Sequence, residues 1–289
     1  MLPVINIGPL AVPLPQMLLL LGFWVGMELT AKQARRYGAN ADDLYVLALA
    51  AALAGLVGAR LAYAARAPGA FLENPISLVQ PHPSMFDPAG GLIAALLAGL
   101  VYGWLKKLPA WPALDAMTTF FAVMAVTIGL ANFASGDGFG APTQAPWAID
   151  LWGEMRHPTQ VYETLAALAV ATAVWPGGRI SHMSERAPGG GLTSGMRFWA
   201  FVALSAGARL LLESFRGDST LWLSLFRQAQ VIAWCALALS LWQVGRRLNP
   251  GGRPQSALAP VGAAAASQAS APDKAGADVI AGEDNKSAQ

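Results

Sequence analysis

Long apolar stretches separated by short polar or glycine- and proline-rich segments dominate the chain. There are seven, at residues 14–29, 44–64, 90–105, 117–133, 160–175, 191–212 and 229–244. A bilayer's hydrocarbon core, about 30 Å thick, is crossed by about 20 mostly apolar residues in helical form. The pattern therefore predicts an all-α, polytopic membrane protein with about seven transmembrane helices, several completed by flanking residues. The first stretch reads as a retained helix, because no basic region precedes it and Lys32, Arg35 and Arg36 follow it. Beyond Pro250 the chain turns to alanine, glycine, serine and proline without apolar periodicity, which cannot repay the entropy of ordering. The expected organisation is a membrane domain over 1–249 and a disordered tail over 250–289.

The basic residues orient the predicted spans. With the amino terminus outside, Lys32, Arg35, Arg36, Lys106, Lys107, Arg179, Arg186, Arg246, Arg247 and Arg253 all fall on the inner side, as the positive-inside bias requires. The long segments 65–89, 134–157 and 213–228 then form the outer face, and the carboxyl terminus is cytoplasmic.

Composition agrees with a bilayer. Of 289 residues, 55% are hydrophobic and 12% charged, where a soluble domain carries about 25% charge. Mean hydropathy is +0.43. A net charge of +2 without a dense basic stripe argues against nucleic acid, leaving lipids and membrane proteins as partners. The single cysteine, Cys235, excludes an internal disulfide or a thiolate metal cluster, and its apolar setting predicts a small buried residue. The three histidines, His82, His157 and His182, form no metal-ligand motif, so neither metal nor cofactor is expected. No solenoid repeat and no inverted pair of broken helices is visible.

Charge inside a span costs about 2.5–3.5 kcal/mol on insertion scales, so each such group needs a partner, a wet cavity or a snorkelling route. Arg60 sits in VGARLAY near the outer end of the second span, where snorkelling is one explanation. The fourth span ends in IGLANFASGDGFGAP: Asn132 and Asp137 stand among Gly136, Gly138 and Gly140, a turn that leaves a helix or brings backbone N–H groups to an anion. In RHPTQVYE, residues 156–163, Pro158 fits the first helical position, His157 the cap, and Gln160 can reach back to it. Glu163 lies deeper, and His157, Gln160 and Glu163 are neighbours on a helical surface. In ARLLLESFRGD, spacings of four and three put Arg209, Glu213 and Arg216 within about a 60° stripe about 10 Å long. A glutamate between two arginines orients guanidinium forks toward another anion, or forms an internal ladder. Gln230 opens the last span, facing the same cavity or anchoring the interface. Arginine forks above apolar surfaces suggest a phospholipid-headgroup pocket. Polar groups gathered toward one end, rather than through the full depth, argue against a channel or transporter.

These motifs resemble those of the prolipoprotein diacylglyceryl transferases of the bacterial inner membrane. RHPTQVYE is close to the family's RHPSQLYE; ANFASGDGFG, 131–140, resembles GNFINGELWG, matching Asn132, Gly136, Asp137 and Gly140; GARLAY, 58–63, is similar to its GGR segment; RLLLESFR, 209–216, to RFxxEFxR; and AQVIA, 229–233, to GQxLS. The chain departs at Gly129, where the family has arginine; at Ala89, where it has histidine, with Asp87 nearby; at Ser205, where it has tyrosine; and at Asp137, where it has glutamate.

The resemblance implies transfer of the diacylglyceryl group from phosphatidylglycerol to the lipobox cysteine of a preprolipoprotein signal peptide, forming a thioether and releasing glycerol phosphate. The attacking sulfur belongs to the substrate, as suits a chain whose own cysteine lies in an apolar run. On this reading His157, Asp137, Glu163 and Glu213 are the catalytic candidates, with His157, Glu163 or Asp137 accepting the thiol proton. Arg60, Asn132, Gly136, Gly140, Gln160, Tyr162, Arg209, Arg216 and Gln230 are the substrate-binding candidates, the arginines taking the phosphate. The alternatives are a non-catalytic relative that binds phospholipid or signal sequences, and a transferase using another lipid or acceptor.

Overall fold

The computed structural model describes residues 4–7, 10–66, 68–73, 76, 85–178, 180, 194–219, 221–222 and 226–248. Its helices are α1 (Leu14–Ala34), α2 (Ala41–Arg66), a short α3 (Pro68–Glu73), α4 (Pro88–Leu105), α5 (Ala110–Ser135), α6 (Thr159–Val174), α7 (Met196–Leu212) and α8 (Gln228–Leu248). Three antiparallel ribbons join β1 (Val4–Ile7) to β2 (Leu10–Pro13), β3 (Ile149–Leu151) to β4 (Glu154–Arg156), and β5 (Leu221–Trp222) to β6 (Phe226–Arg227). The expected tail over 250–289, Arg179, Arg186, Arg253, His82 and His182 lie outside the described residues.

Each of the seven apolar stretches carries a helix over most of its described residues, five of these helices being longer than the apolar pattern alone marks, while residues 191–193 of the sixth stretch lie outside the described residues. Among the described residues five helical segments are long and apolar enough to cross a membrane: Leu14–Tyr37, Ala41–Arg66, Pro88–Leu105, Ala110–Ser135 and Met196–Phe215. Helix α6, with 16 residues, is only about 24 Å long. Helix α8 carries Gln228, Gln230, Ser240 and Gln243 along its apolar run. Large apolar side chains face outward all along the bundle, Leu100 at 70% and Trp104 at 78% exposure, a surface that water would not tolerate and hydrocarbon would. Cys235, expected to be buried, belongs to this outward surface; its helix turns it away from the core.

Small residues set the packing. Helices α2 and α4 touch through Gly55, Gly58, Gly90 and Gly91: a Cβ on Gly58 would meet that of Ala94 at 2.2 Å, and one on Gly90 that of Ala62 at 2.1 Å. Glycine here lets two backbones approach, the usual device where burial of apolar surface does not itself drive helix association. Helix α1 lies against α5 in the same way, Gly22 facing Thr127 and Gly26 facing Phe120, with Met27, Ala34, Ala116 and Met117 buried between them and the start of α2. Helix α6 meets α5 at Gly129–Thr164 and through Ala122, Val170 and Val174. Asp87, beside the position where the family carries histidine, caps α4: its Oδ1 accepts from Ala89 N–H at 2.8 Å and Gly90 N–H at 3.1 Å, and Arg66 pairs with its other oxygen. The Gly90 bond first, then Ala89 and Arg66, outweigh burial and hold this carboxyl below its usual range. The charged cap is therefore complete above the ordinary carboxylate pKa and is lost only as pH falls through the lower folded value.

One end of the bundle is tied by buried charge that the pattern of apolar stretches does not announce. Asp115 of α5 and Arg197 of α7 are each 2% exposed. Asp115 accepts from Gly195 N–H at 2.5 Å and Phe198 N–H at 2.9 Å, capping α7 from another helix. Arg197 donates to Val174 O, Asp115 O and Thr119 Oγ1 at 2.6, 2.8 and 2.8 Å, and Thr119 donates to Gln33 of α1. Four helices are thereby joined at the end where Lys32, Arg35, Arg36, Lys106, Lys107, Arg246 and Arg247 gather.

Candidate active site

The opposite end is built by the turn after α5, the start of α6 and the end of α7. Helix α5 stops because Gly136 takes φ +89°, its N–H returning to Asn132 O at 2.8 Å. Gly138 is also left-handed, at φ +67°. A Cβ on it would lie 3.4 and 3.5 Å from the Arg216 guanidinium nitrogens and 3.5 Å from Asn132 Nδ2, so bare backbone covers that arginine. The first turn of α6 holds this loop: Thr159 Oγ1 donates to Gly138 O at 2.7 Å and Gln160 Nε2 to Asp137 O at 3.1 Å. Further bonds run from Ala141 N–H to Phe215 O, Gly217 N–H to Phe139 O and His157 N–H to Ala141 O, at 2.8, 3.0 and 3.1 Å. Gly140 is the tightest point, since a Cβ there would meet His157 O at 2.2 Å.

An ionic network sits on this frame. Glu163 Oε1 accepts from Arg209 Nη1 at 2.8 Å and from Arg216 Nη1 at 2.6 Å. Arg209 Nη2 lies 3.1 Å from Glu213 Oε2, an ion pair by distance without hydrogen-bond alignment. Arg216 grips Asp218 with two parallel bonds, Nε to Oδ1 at 2.8 Å and Nη2 to Oδ2 at 2.7 Å. Glu213 is 1% exposed; Ser219 Oγ donates to its Oε1 at 2.6 Å, and Arg227 bonds its backbone carbonyl. Burial lowers the Arg216 pKa, but its bonds to Asp218 and Glu163 and their charges outweigh that and raise it, so its charge is permanent.

The two arginines thus differ. Arg216 has three of its guanidinium nitrogens committed and is largely enclosed; Arg209 leaves its Nε uncommitted among the described residues and has a side chain 36% exposed. Arg209 is the one with donors free for an incoming anion.

Several expectations about local geometry need correction, and the remaining candidates take the following places. Glu163, not Glu213, is the carboxylate that joins both arginines. The stripe Arg209–Glu213–Arg216 is broken, because α7 ends at Leu212 and Glu213–Phe215 tightens into a 3₁₀ turn. That turn sends Arg216 across to α6. The cap of α6 is Pro158 rather than His157, without a side-chain cap bond. Asp137 is exposed and its carboxylate accepts from Ser135 Oγ at 2.7 Å; its backbone carbonyl, not its acid, enters the frame. Arg60 is 7% exposed, donates to Met85 O at 2.9 Å and lies over the Phe71 and Phe86 rings; these partners belong to the α2–α4 side, and none is a member of the Glu163 network. Gln230 is half-buried in the first turn of α8.

His157 and Tyr162 do face each other, His157 Nδ1 and Tyr162 Oη being 3.4 Å apart, with Trp147 Nε1 donating to the same hydroxyl at 2.6 Å and Phe215 edge-on to His157. Gln160 is fully buried with Oε1 unpartnered among the described residues. Asp218, Ser219 and Arg227 join the network without having been singled out in the sequence. Asp218, two residues past Arg216 in SFRGD, was the most legible of them.

Gly129 is closed to a side chain. A Cβ there would fall 2.4 Å from Thr164 Oγ1 and 3.2 Å from Thr164 Cα. Gly129→Arg is therefore expected to push α6 off α5 and reduce the yield of folded protein rather than to raise activity, as checked by size-exclusion chromatography in detergent.

A family profile described as Prolipoprotein diacylglyceryl transferase matches residues 3–245. Among curated relatives, a phosphatidylglycerol–prolipoprotein diacylglyceryl transferase of Thermus thermophilus is 27% identical, covering 86% of this chain and 98% of its own. One of Nostoc sp. is 26% identical over 82% of this chain and 86% of its own, and one of Clostridioides difficile is 26% identical over 73% and 81%. With the match running through every helix from α1 nearly to the end of α8, the chain belongs to the prolipoprotein diacylglyceryl transferase family.

Proposed function

We propose that this protein is a multi-pass enzyme of the bacterial inner membrane, seven of its helices crossing the bilayer with the amino terminus outside, and that it transfers the diacylglyceryl group of phosphatidylglycerol to a lipobox cysteine. The observation that supports this most is the placement of two arginines from the α7 end on one carboxylate oxygen of α6, under a glycine turn of α5. In the reaction the substrate thiol loses its proton, sulfur bonds to the glycerol carbon, and the carbon–oxygen bond to phosphate breaks, releasing glycerol phosphate. Arg209 offers its uncommitted donors to the phosphate as charge gathers there. Glu163 and Glu213 fix its plane, and Arg216, clamped by Asp218, holds Glu163. His157 is the candidate proton acceptor, with Tyr162 on one ring nitrogen.

The test is direct: purified protein, labelled phosphatidylglycerol and a lipobox peptide. The expected result is a mass gain of one diacylglyceryl group on the peptide cysteine. No gain, under conditions where the Thermus thermophilus relative modifies the same peptide, would leave a phospholipid- or signal-sequence-binding protein as the better reading.

A further inference from the structure

Helices α4 and α5 follow each other through a short turn at 106–109, yet each packs chiefly on another partner, α4 on α2 and α5 on α1. Between the two pairs lies a cavity of about 1020 Å³, walled by Ala51 and Gly55 of α2, Leu96 and Gly99 of α4, and Met117 and Met124 of α5. That is at the top of the roughly 300–1,000 Å³ range of small-molecule pockets. It follows α4 from Leu92 to Leu105, about 20 Å at the helical rise, and ends at Lys107. A Cβ at Gly99 would meet no atom within 4 Å, so the space begins at the helix backbone.

The shape and lining select the occupant. A long apolar slot suits hydrocarbon chains, and its mouth is cationic: Lys107 lines its end and Lys106 is the next residue in the chain, and both are exposed and have no acidic partner among the described residues. We infer that this cleft seats an anionic phospholipid, its chains lying along α4 and its phosphate against Lys106 and Lys107. This is a different molecule from any lipid bound at Glu163. Helix α5 rises about 33 Å between Ala110, just past the lysines, and Asn132 at the other site, too far for one headgroup to serve both. The inference therefore stands whether or not the chain performs transfer.

The test uses the full chain purified in mild detergent, with native mass spectrometry of bound phosphatidylglycerol and of phosphatidylcholine with the same acyl chains. Wild type is expected to hold phosphatidylglycerol the more tightly. The variant Lys106→Gln/Lys107→Asn, whose asparagine suits the left-handed φ of 50° at 107, should lose that preference by about fivefold per lysine removed. Gly99→Phe, entering the open space, should weaken both lipids. Arg209 and Arg216 are untouched in each protein, so binding at their end contributes equally. Equal affinity for the two lipids in wild type, or unchanged phosphatidylglycerol binding in the lysine variant, would overturn the assignment. If Gly99→Phe does not fold, the lysine variant, altered only at exposed side chains, decides alone.

Discussion

Glu163→Gln is expected to reduce lipid transfer by at least about a hundredfold. Both guanidinium groups reach the same atom, Oε1, at 2.8 and 2.6 Å. A hydrogen bond to a charged partner contributes about 1.5–3 kcal/mol, so neutralising this oxygen weakens two such bonds at once. It also leaves the two arginines facing each other with one carboxylate fewer, the situation in which breaking a buried pair costs about 3–5 kcal/mol. Glu163 is enclosed enough, at 17% side-chain exposure, that water offsets only part of this. Glu163→Asp keeps the charge but shortens its reach and should fall between the two, losing about tenfold if one of the two bonds survives. Initial rates with labelled phosphatidylglycerol measure both variants. Rates at wild-type level for Glu163→Gln would remove the network from the chemistry.

Arg209→Ala should lose transfer by about 10²–10³, the range for deleting one preorganised donor to developing negative charge. Arg209→Lys keeps the charge without the planar fork and should recover only part of the rate. Glu213→Ala should act through Arg209. The buried carboxylate lies 3.1 Å from Arg209 Nη2 and is itself held by Ser219, so removing it frees the guanidinium to rotate about its remaining bond to Glu163. Glu213→Gln, which keeps the shape, is expected to retain more activity than Glu213→Ala. Membrane insertion should persist in all of these variants, because the spans are set by apolar length. Insertion assayed by membrane fractionation, beside turnover, separates a damaged site from a missing protein.

The site was legible in the sequence to the degree that its residues stood out as charge in apolar surroundings. Arg209, Glu213, Arg216 and Glu163 each had to have a partner, and the structure supplies one for each. The pairing itself was not legible. A spacing of four and three presumes an unbroken helix, and the 3₁₀ turn at Glu213–Phe215 redirects Arg216 to α6. Asp137 stood out by its place in a glycine turn, but its orientation did not: φ angles of +89° and +67° on either side accompany a backbone turned inward and a carboxylate turned out. Asp115 and Arg197 carried the same signal of isolated charge but belonged to no familiar motif, so their joint role in tying four helices emerged only from coordinates.

Local composition alone determined that this chain makes long apolar helices, that one group of them ends in basic residues, and that ionisable groups collect near RHPTQVYE, ASGDGFG and LLESFRG. Those are properties of neighbouring residues, fixed by helical rise and the expense of bare charge in hydrocarbon. Tertiary structure decided which carboxylate serves which arginine, why Gly129 admits no side chain, and that α4 and α5 part to leave a cleft. Such outcomes depend on contacts between residues tens of positions apart, where small residues let helices approach and chain reversals set the angle at which side chains meet.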